Sequence, residues 1–184
     1  MSRIQFFLEG IKHFKEVGTV TRSGVAMCQK TASFIPSNKQ VVVVELGAGD
    51  GVMTKHLLNR ISIDSTLIAI ELNEKLYQHL ADIQDDRLVA IHASAEELET
   101  ILEQHNIKEV DYMVSAIPFI VFPKEQAQEM LHTFKRLMKS GGLYMQVHYA
   151  KRLTSLYESV FGNLQTNFIL ANLPPAYVFV CKKN

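Results

Sequence analysis

The sequence predicts an α/β fold in which a mostly parallel β-sheet carries helices on both faces. Four consecutive valines, at positions 41–44, are typical of a strand that is buried on both faces, as the strands of parallel sheets are. The run leads into an acid and three glycines at alternate positions (45–51), after which helical spacing begins at Val52. Short apolar runs then alternate with amphipathic stretches as far as residue 148, which is the pattern of repeated β-α-β units.

Each predicted element follows from local spacing. Strands are predicted where apolar runs are short and bounded by turn residues, at 41–46, 66–71, 88–91, 110–115, 143–148, 164–170 and 177–181. Helices are predicted where apolar residues recur every three or four positions, at 3–17, 23–34, 51–61, 74–85, 95–105, 123–139 and 153–161. Too few residues join the last two strands for a crossover helix, which predicts an antiparallel hairpin at the C-terminal end of a seven-stranded sheet.

Local signals mark several helix ends. Ser23 can cap the second helix. Ser94, with Glu97 three residues later, fits a capping box. Pro123 stands in the first turn of its helix, where proline is tolerated, and the glycines at 141–142 are predicted to end that helix.

Composition favours one globular domain and disfavours several classes of protein. The 184 residues are predicted to form a single domain, 1–184, whose first 35 residues are an N-terminal helical segment. The 19 basic and 19 acidic residues cancel, whereas nucleic-acid binders are usually basic, so nucleic acid is disfavoured as a partner. Cys28 and Cys181 lack metal-ligand spacing, which predicts no metal site and two reduced thiols in the cytoplasm. Neither a membrane span nor a signal peptide is predicted.

Residues 3–17 form an amphipathic segment with two interpretations. Its apolar residues recur at helical spacing and its basic residues lie mostly elsewhere; the apolar set is Ile4, Phe7, Leu8, Ile11, Phe14 and Val17. Such a helix can lie on an anionic membrane, which would make the protein peripheral on the inner face of the membrane. Alternatively, it packs on the sheet or forms a lid over a ligand. Periodicity alone favours the second interpretation. If the substrate is a lipid, the two interpretations are about equally well supported.

The glycine spacing narrows the ligand class. A dinucleotide fingerprint counted from Gly47 needs a third glycine at position 52, where this chain has Val52. The pattern Glu-x-Gly-x-Gly-x-Gly instead resembles motif I of the class I S-adenosylmethionine (SAM) methyltransferases. The resemblance implies a Rossmann-like fold and a loop that wraps SAM. The residues of the loop expected at the cofactor are Glu45, Gly47, Ala48, Gly49 and Gly51.

Two further strand ends complete the predicted cofactor site. Glu71 ends the second strand about twenty residues after the glycine loop, where this kind of fold places an acid on the ribose hydroxyls, and Leu72 follows it. In the family that the chain resembles, the turn at Ser94 and Ala95 lies beside the adenine, often with an aspartate at the position of Ser94. Ser94 can accept the same hydrogen bond, or it serves only as a helix cap, and both interpretations are open.

The turn after the fourth strand, Ser115-Ala116-Ile117-Pro118-Phe119, corresponds to the methyl-transfer position of the family. Enzymes that methylate the amino group of adenine or of glutamine have an asparagine or aspartate where this chain has Ala116. Because alanine cannot accept hydrogen bonds from a planar amine, methylation of a nucleobase is disfavoured.

A closer resemblance is to bacterial phospholipid N-methyltransferases, and it covers nearly the whole chain. It is carried by the turn at 115–119 with the following Phe-Pro, by the segment 4–24 with its Gly-Thr-Val-Thr-Arg-Ser loop, and by Asn-Leu-Pro-Pro-Ala-Tyr-Val at 172–178. The chain departs from the family pattern at Thr21-Arg22, Ser94 and Ala116. The resemblance implies transfer of methyl groups from SAM to the amine of a lipid headgroup such as phosphatidylethanolamine.

Methylation needs the neutral amine, because a protonated amine has no lone pair. The pKa of the headgroup amine should be near that of lysine, about 10, so the site must favour or produce the neutral form. Tyr149 is the preferred proton acceptor, since the family has a tyrosine after the fifth strand. His148 and the carbonyls near Ile117 are alternatives, although strand alternation favours His148 as a core residue. Ser115 and Pro118 are the other predicted catalytic residues, and Ser115 is also predicted to contact the cofactor.

Basic and aromatic residues are predicted to bind the remainder of the substrate. A headgroup phosphate can be neutralised by Arg22, Lys151 and Arg152, and Phe119 is predicted to contact the acceptor. Thr21 is predicted to contact the cofactor. Solvated surface charges are the alternative for the basic residues.

Two other functions stay open: a small-molecule or rRNA adenine methyltransferase of the same fold, and a SAM-binding module without activity. The number of methyls and the oligomeric state are not predicted.

Overall fold

The computed structural model describes residues 24–184, so the predictions for 3–17, Thr21, Arg22 and Ser23 fall outside the described residues. Seven strands alternate with helices along the chain. The strands are β1 Val42–Leu46, β2 Thr66–Glu71, β3 Leu88–His92, β4 Val110–Ser115, β5 Met138–His148, β6 Gln165–Ile169 and β7 Ala176–Lys182. The helices are α1 Val25–Ala32, α2 Val52–Leu58, α3 Glu74–Ala81, α4 Leu98–Gln104, α5 Lys124–Leu137 and α6 Thr154–Phe161, with 3₁₀ turns at Ala95–Glu97 and Phe119–Val121.

One sheet contains all seven strands in the order β3-β2-β1-β4-β5-β7-β6. Strands β1 to β5 are parallel, and β7 runs antiparallel to both β5 and β6. The predicted mostly parallel sheet with an antiparallel C-terminal hairpin is therefore confirmed. The chain proceeds from β1 outward to β3 and then crosses to β4 on the other side of β1. This topological switch opens a crevice at the carboxyl ends of β1 and β4, where ligands bind in such folds.

Both faces of the sheet are buried, as the run of valines predicted. Val44 and Leu46 face a core that includes Phe134 and Tyr157 from α5 and α6. Val43 faces a second core with Met27 of α1 and the apolar side of α2. Alternate residues of β1 thus enter different cores, because successive side chains of a strand point to opposite faces.

The glycines at 141–142 do not end a helix, and this prediction is wrong. Helix α5 ends at Leu137, and both glycines lie within β5. A Cβ atom on Gly142 would lie 2.7 Å from the carbonyl oxygen of Asp111, so only glycine permits this approach of the two strands. The register of the β4–β5 pair shifts at the same place, between Val110 and Tyr112.

Other element boundaries differ by a few residues. Helix α3 ends at Ala81 rather than at 85, with Asn73 as its N-cap. The capping box of Ser94 and Glu97 is present. Within the described residues, no helix is long and apolar enough to cross a membrane.

Candidate functional site

The carboxyl ends of β1, β2 and β4 meet at one edge of the sheet, here called the carboxyl edge. The amides of Gly47 and Ala48 donate to the carbonyl of Ile70 at 2.9 and 3.1 Å, which ties the glycine loop to the end of β2. The amide of Ala116 donates to the carbonyl of Leu46 at 3.0 Å, which ties the turn after β4 to the end of β1. The predicted cofactor loop and the predicted methyl-transfer turn are therefore neighbours across the crevice.

The glycine loop exposes its backbone to the crevice. Gly47 and Gly49 have φ values of +74° and +61°, which side chains with a Cβ rarely adopt. A Cβ atom on Gly49 would meet no other heavy atom within 4 Å, so open space lies beside its Cα. A ligand can therefore lie directly against the backbone at Gly49.

Glu71 joins this loop to the end of β2. Its carboxylate oxygen Oε2 accepts from the amide of Gly49 at 2.7 Å, and Oε1 accepts from the amide of Asn73 at 2.8 Å. The side chain is buried, yet it lies where the loop and the strand end meet. An ionised carboxylate has about four acceptor positions, so two remain for a ligand's hydroxyl groups.

Glu45 lies beneath the loop rather than on its open side. It is buried, and its Oε2 accepts a 2.6 Å hydrogen bond from the hydroxyl of Thr54 on α2. Burial, together with the nearby charge of Glu71, raises the pKa of Glu45 to about 8. Its contact with the cofactor stays a prediction; in this structure Glu45 supports the loop from below.

We expect the substitution Glu45→Gln to flatten the pH dependence of folding stability between pH 6.5 and 8. Because the pKa of Glu45 is higher in the folded state than the ordinary 4.5, stability is lost as pH rises from about 4.5 to about 8. The slope of this loss approaches about 1.4 kcal/mol per pH unit, whereas glutamine does not titrate. Urea denaturation at several pH values measures the slope.

The titration of His148 sets the lower limit, pH 6.5, of the pH range in which the slope is compared. Burial lowers its pKa to about 4, so its own contribution to stability falls as pH drops from about 6.5 and opposes that of Glu45 there. Glu74→Gln, at an exposed acid, is the matched control and should keep the slope of the wild type. An unchanged slope in Glu45→Gln would contradict the buried, protonated state of Glu45.

The ends of β2 and β3 are fixed to each other. Nε2 of His92 donates to the carbonyl of Leu72 at 3.0 Å, and the His92 ring stacks on Tyr77 with centroids 5.2 Å apart. Ser94 Oγ accepts from the amide of Glu96, and the amide of Ser94 donates to Glu97. Ser94 therefore caps the helical turn that begins at Ala95, and its predicted adenine contact stays a prediction.

The turn after β4 exposes Ala116 and buries its neighbours. Ser115 is fully buried, and its hydroxyl accepts from the amide of Ile117 at 3.3 Å. The Ser115 side chain therefore holds the turn together in this structure, and its predicted catalytic and cofactor-binding roles stay predictions. Pro118 is half-buried at the start of the 3₁₀ turn, and its catalytic role stays a prediction.

The predicted contact of Phe119 with the substrate stays a prediction, and in this structure its side chain faces the core. The side chain is only 1% exposed, because the 3₁₀ turn directs it into the core. Its ring packs against Phe122 at 5.9 Å and edge-on against Tyr157 at 6.2 Å. Phe119 therefore anchors the turn to the core.

A buried polar network supports the same turn, and sequence reasoning missed it. Gln146 of β5 donates from Nε2 to the carbonyl of Ile117 at 2.9 Å, and its Oε1 accepts from the hydroxyl of Tyr144 at 2.6 Å. Both side chains are fully buried. A glutamine between apolar neighbours in a core strand was the available signal, because a buried amide needs partners.

The residues predicted after β5 have different surroundings. His148 packs on Phe179, and its Nε2 lies 2.7 Å from the hydroxyl of Tyr157, so the interpretation as a core histidine agrees with the structure. Tyr149 is half-buried against the second core, near α1. Lys151 and Arg152 are exposed, with Nζ of Lys151 5.3 Å from the centre of the Tyr177 ring.

Comparisons with known proteins agree with this architecture. The model of the methyltransferase domain family matches residues 43–142, which is more than half of the chain. An ornithine lipid N-methyltransferase from Singulisphaera acidiphila is 28% identical over 174 residues, covering 93% of this chain and 91% of that protein.

Solved structures share the fold at low identity. A putative rRNA methylase from Clostridium thermocellum has a TM-score of 0.67 and 15% identity, over 90% of this chain and 98% of that one. The 1,6-didemethyltoxoflavin N1-methyltransferase from Burkholderia thailandensis, with bound S-adenosylhomocysteine, has a TM-score of 0.67 and 14% identity, over 98% of this chain and 87% of that one.

The fold and the site define a Rossmann-like, SAM-dependent methyltransferase. The chain belongs to the methyltransferase domain family. The residues present fit the cofactor, because open space beside Gly49 admits a ligand against bare backbone and Glu71 lies next to it with acceptor positions left. Those two residues, with Gly47, Leu72 and the Ser94 turn, are the ones that would hold SAM.

Proposed function

We propose that this enzyme methylates the amine of a lipid headgroup, such as that of an ornithine lipid or phosphatidylethanolamine. The observation that carries the proposal is the match to the ornithine lipid N-methyltransferase along nearly the full length of both chains. The match extends beyond residues 43–142, and so includes the segments after β5 that border the acceptor side of the crevice.

The exposed Ala116 supports a flexible aliphatic amine over a nucleobase. It lies at the position where amino-group methyltransferases of nucleobases carry a hydrogen-bonding side chain. Without that side chain, and with Phe119 buried, the turn offers neither an acceptor for a planar amine nor an aromatic ring on which a base would stack. A small alkyl amine needs neither.

The reaction requires the enzyme to bind the amine in its neutral form and in line with the methyl group. SAM, when bound, supplies a methyl group that is activated by the positive charge on sulfur. We propose that the Tyr149 oxygen takes the amine proton as the Tyr149 hydroxyl passes its own proton to solvent, so that one proton is released to solvent and the phenol is regenerated. His148 is a poorer candidate, because Nε2 already contacts the Tyr157 hydroxyl and burial lowers the pKa of His148 to about 4. Positioning in a water-poor crevice supplies most of the acceleration.

The remainder of the acceptor is proposed to lie along the segment after β5. The exposed Lys151 and Arg152 can neutralise the negative charge of an anionic lipid headgroup. Residues 3–17 are proposed to contact the membrane in which the lipid resides, since their apolar and basic sides suit an anionic surface.

Methyl transfer to defined acceptors tests the proposal. The whole chain is incubated with methyl-labelled SAM and vesicles that contain ornithine lipid, phosphatidylethanolamine or phosphatidylcholine only, and with rRNA. We expect label in the organic extract with an amine lipid and none with phosphatidylcholine, whose nitrogen already carries three methyls. Label in RNA only would contradict the lipid acceptor, and no label in any acceptor from a protein that binds SAM would favour a binding module.

A further inference from the structure

The loop between β6 and β7, residues 170–175, lies at the carboxyl edge beside the crevice. β7 is antiparallel to β5, and its Tyr177 pairs with His148 at the end of β5. The loop is two to three strands from β4, which at about 4.8 Å per strand is roughly 10–14 Å from the turn at Ala116. Whatever contacts this loop is therefore close to the acceptor.

The loop exposes its apolar residues and buries its polar one. Leu170 and Leu173 are 73% and 87% exposed, whereas Asn172 between them is buried. The Asn172 amide donates to the carbonyl of Pro174 at 2.6 Å, and its Oδ1 lies so close to Gly24 that a Cβ there would be 2.1 Å away. Asn172 thus packs closely against Gly24 at the start of α1, while the two leucines are exposed.

Exposed apolar side chains concentrate at this edge. Among residues 24–184, five of the six large apolar side chains that stand exposed lie at the carboxyl edge, and one, Ile63, lies at the opposite edge before β2. The five are Val25, Ile120, Phe168, Leu170 and Leu173. Singly exposed leucines are ordinary, but a concentration beside a binding site marks an interaction surface.

The charges beside the loop favour an anionic partner. Residues 159–181 contain no charged side chain, so no carboxylate of that stretch opposes approach to a negative surface. Lys151 lies over the ring of Tyr177, which contacts Phe168 at 5.0 Å, and the exposed Arg152 follows Lys151 in the chain. Outward leucines next to aromatic rings and two cations match the chemistry of a membrane interface with anionic headgroups.

We propose that the 170–175 loop is a membrane-docking element that inserts Leu170 and Leu173 into an anionic bilayer surface, with Lys151 and Arg152 on the headgroups. The inference rests on the proposed lipid acceptor and adds a contact separate from residues 3–17. It orients the carboxyl edge toward the bilayer, so that a headgroup amine reaches Ala116 while its acyl chains stay in the membrane.

Sedimentation with vesicles of phosphatidylglycerol and phosphatidylcholine tests the docking loop. We expect the double variant Leu170→Asp/Leu173→Asp of the whole chain to lower the partition coefficient at least tenfold. Ile63→Asp, at a residue 79% exposed on the opposite edge, is the matched control and should stay within twofold of wild type. Both variants should bind S-adenosylhomocysteine as wild type does, which shows that they are folded. Equal binding by the double variant, or an equal loss in Ile63→Asp, would overturn the proposal.

Other occupants of the surface give different results. If deletion of residues 1–17 abolishes vesicle binding and the double substitution does not, the N-terminal segment alone contacts the membrane and the docking loop is refuted. If the substitutions convert a wild-type dimer to a monomer in light scattering and leave vesicle binding unchanged, the loop binds a second copy instead.

Methyl transfer in detergent micelles separates the docking loop from the catalytic proposal. Micelles present the amine lipid without a bilayer surface, so the double variant should keep wild-type activity there and lose it on vesicles. If no amine lipid is methylated in either form while vesicle binding still depends on the leucines, the acceptor proposal fails and the docking element stands.

Discussion

Replacing Glu71 by alanine should lower the affinity for SAM at least tenfold, which corresponds to about 1.4 kcal/mol. Two effects add. The variant loses the carboxylate that is predicted to accept from the ribose hydroxyls, and hydrogen bonds to a charged group contribute roughly 1.5–3 kcal/mol. It also releases the amides of Gly49 and Asn73, so the loop loses its link to the end of β2. Isothermal titration calorimetry measures the change.

Glu74→Ala is the matched control for this substitution. Glu74 is an exposed acid three residues later, in the first turn of α3, and it should leave SAM affinity within about twofold of wild type. If Glu71→Ala also retains wild-type affinity, the ribose has been assigned to the wrong strand end. An equal loss in both variants would indicate a general effect of negative charge rather than a specific contact.

Replacing Phe119 by alanine should destabilise the folded protein by about 3–5 kcal/mol. The ring is enclosed by the core, where it packs with Phe122 and Tyr157, so its removal leaves a cavity beneath the turn after β4. The midpoint of urea denaturation, at an unchanged slope, reports the loss. Methyl transfer by the folded fraction should fall as well, because the turn at Ala116 loses its anchor.

The adjacent Ile120 provides the control, since it belongs to the same 3₁₀ turn and is 43% exposed. Ile120→Ala should cost less than about 1 kcal/mol. If instead Phe119→Ala keeps the stability of the wild type and raises KM for the acceptor, the result would contradict a purely structural role and support the predicted contact of Phe119 with the substrate.

The sequence was sufficient for the sheet and for placing the glycine loop beside Glu71 and the turn after β4, because those features depend on local patterns. The valine run, the glycine spacing and the acid at Glu71 each reflect a backbone requirement that holds for the fold wherever it occurs. The direction of the C-terminal hairpin followed from the shortness of its connection alone. Each of these inferences needed only residues that are near one another in the chain.

The errors arose where long-range packing decides the outcome. Gly142 is a glycine because the carbonyl of Asp111, thirty-one residues earlier, approaches too closely for a Cβ. The burial of Phe119 and Ser115 could not be predicted from their motif either, because the core beneath the turn determines which of its side chains face inward. Gln146 was missed for the same reason, since its amide donates to the carbonyl of Ile117, which lies in the turn after β4 and 29 residues away in the chain.

Amide chemical shifts during titration with S-adenosylhomocysteine test the central claim most directly, namely that the cofactor binds at the carboxyl edge, against the ends of β1, β2 and β3. The account predicts saturable shifts at Gly47, Gly49, Leu72 and Ser94, and none at Ile63 on the opposite edge. Shifts that cluster near Ile63, or no saturable shift up to about 1 mM, the upper end of ordinary KM values, would contradict it.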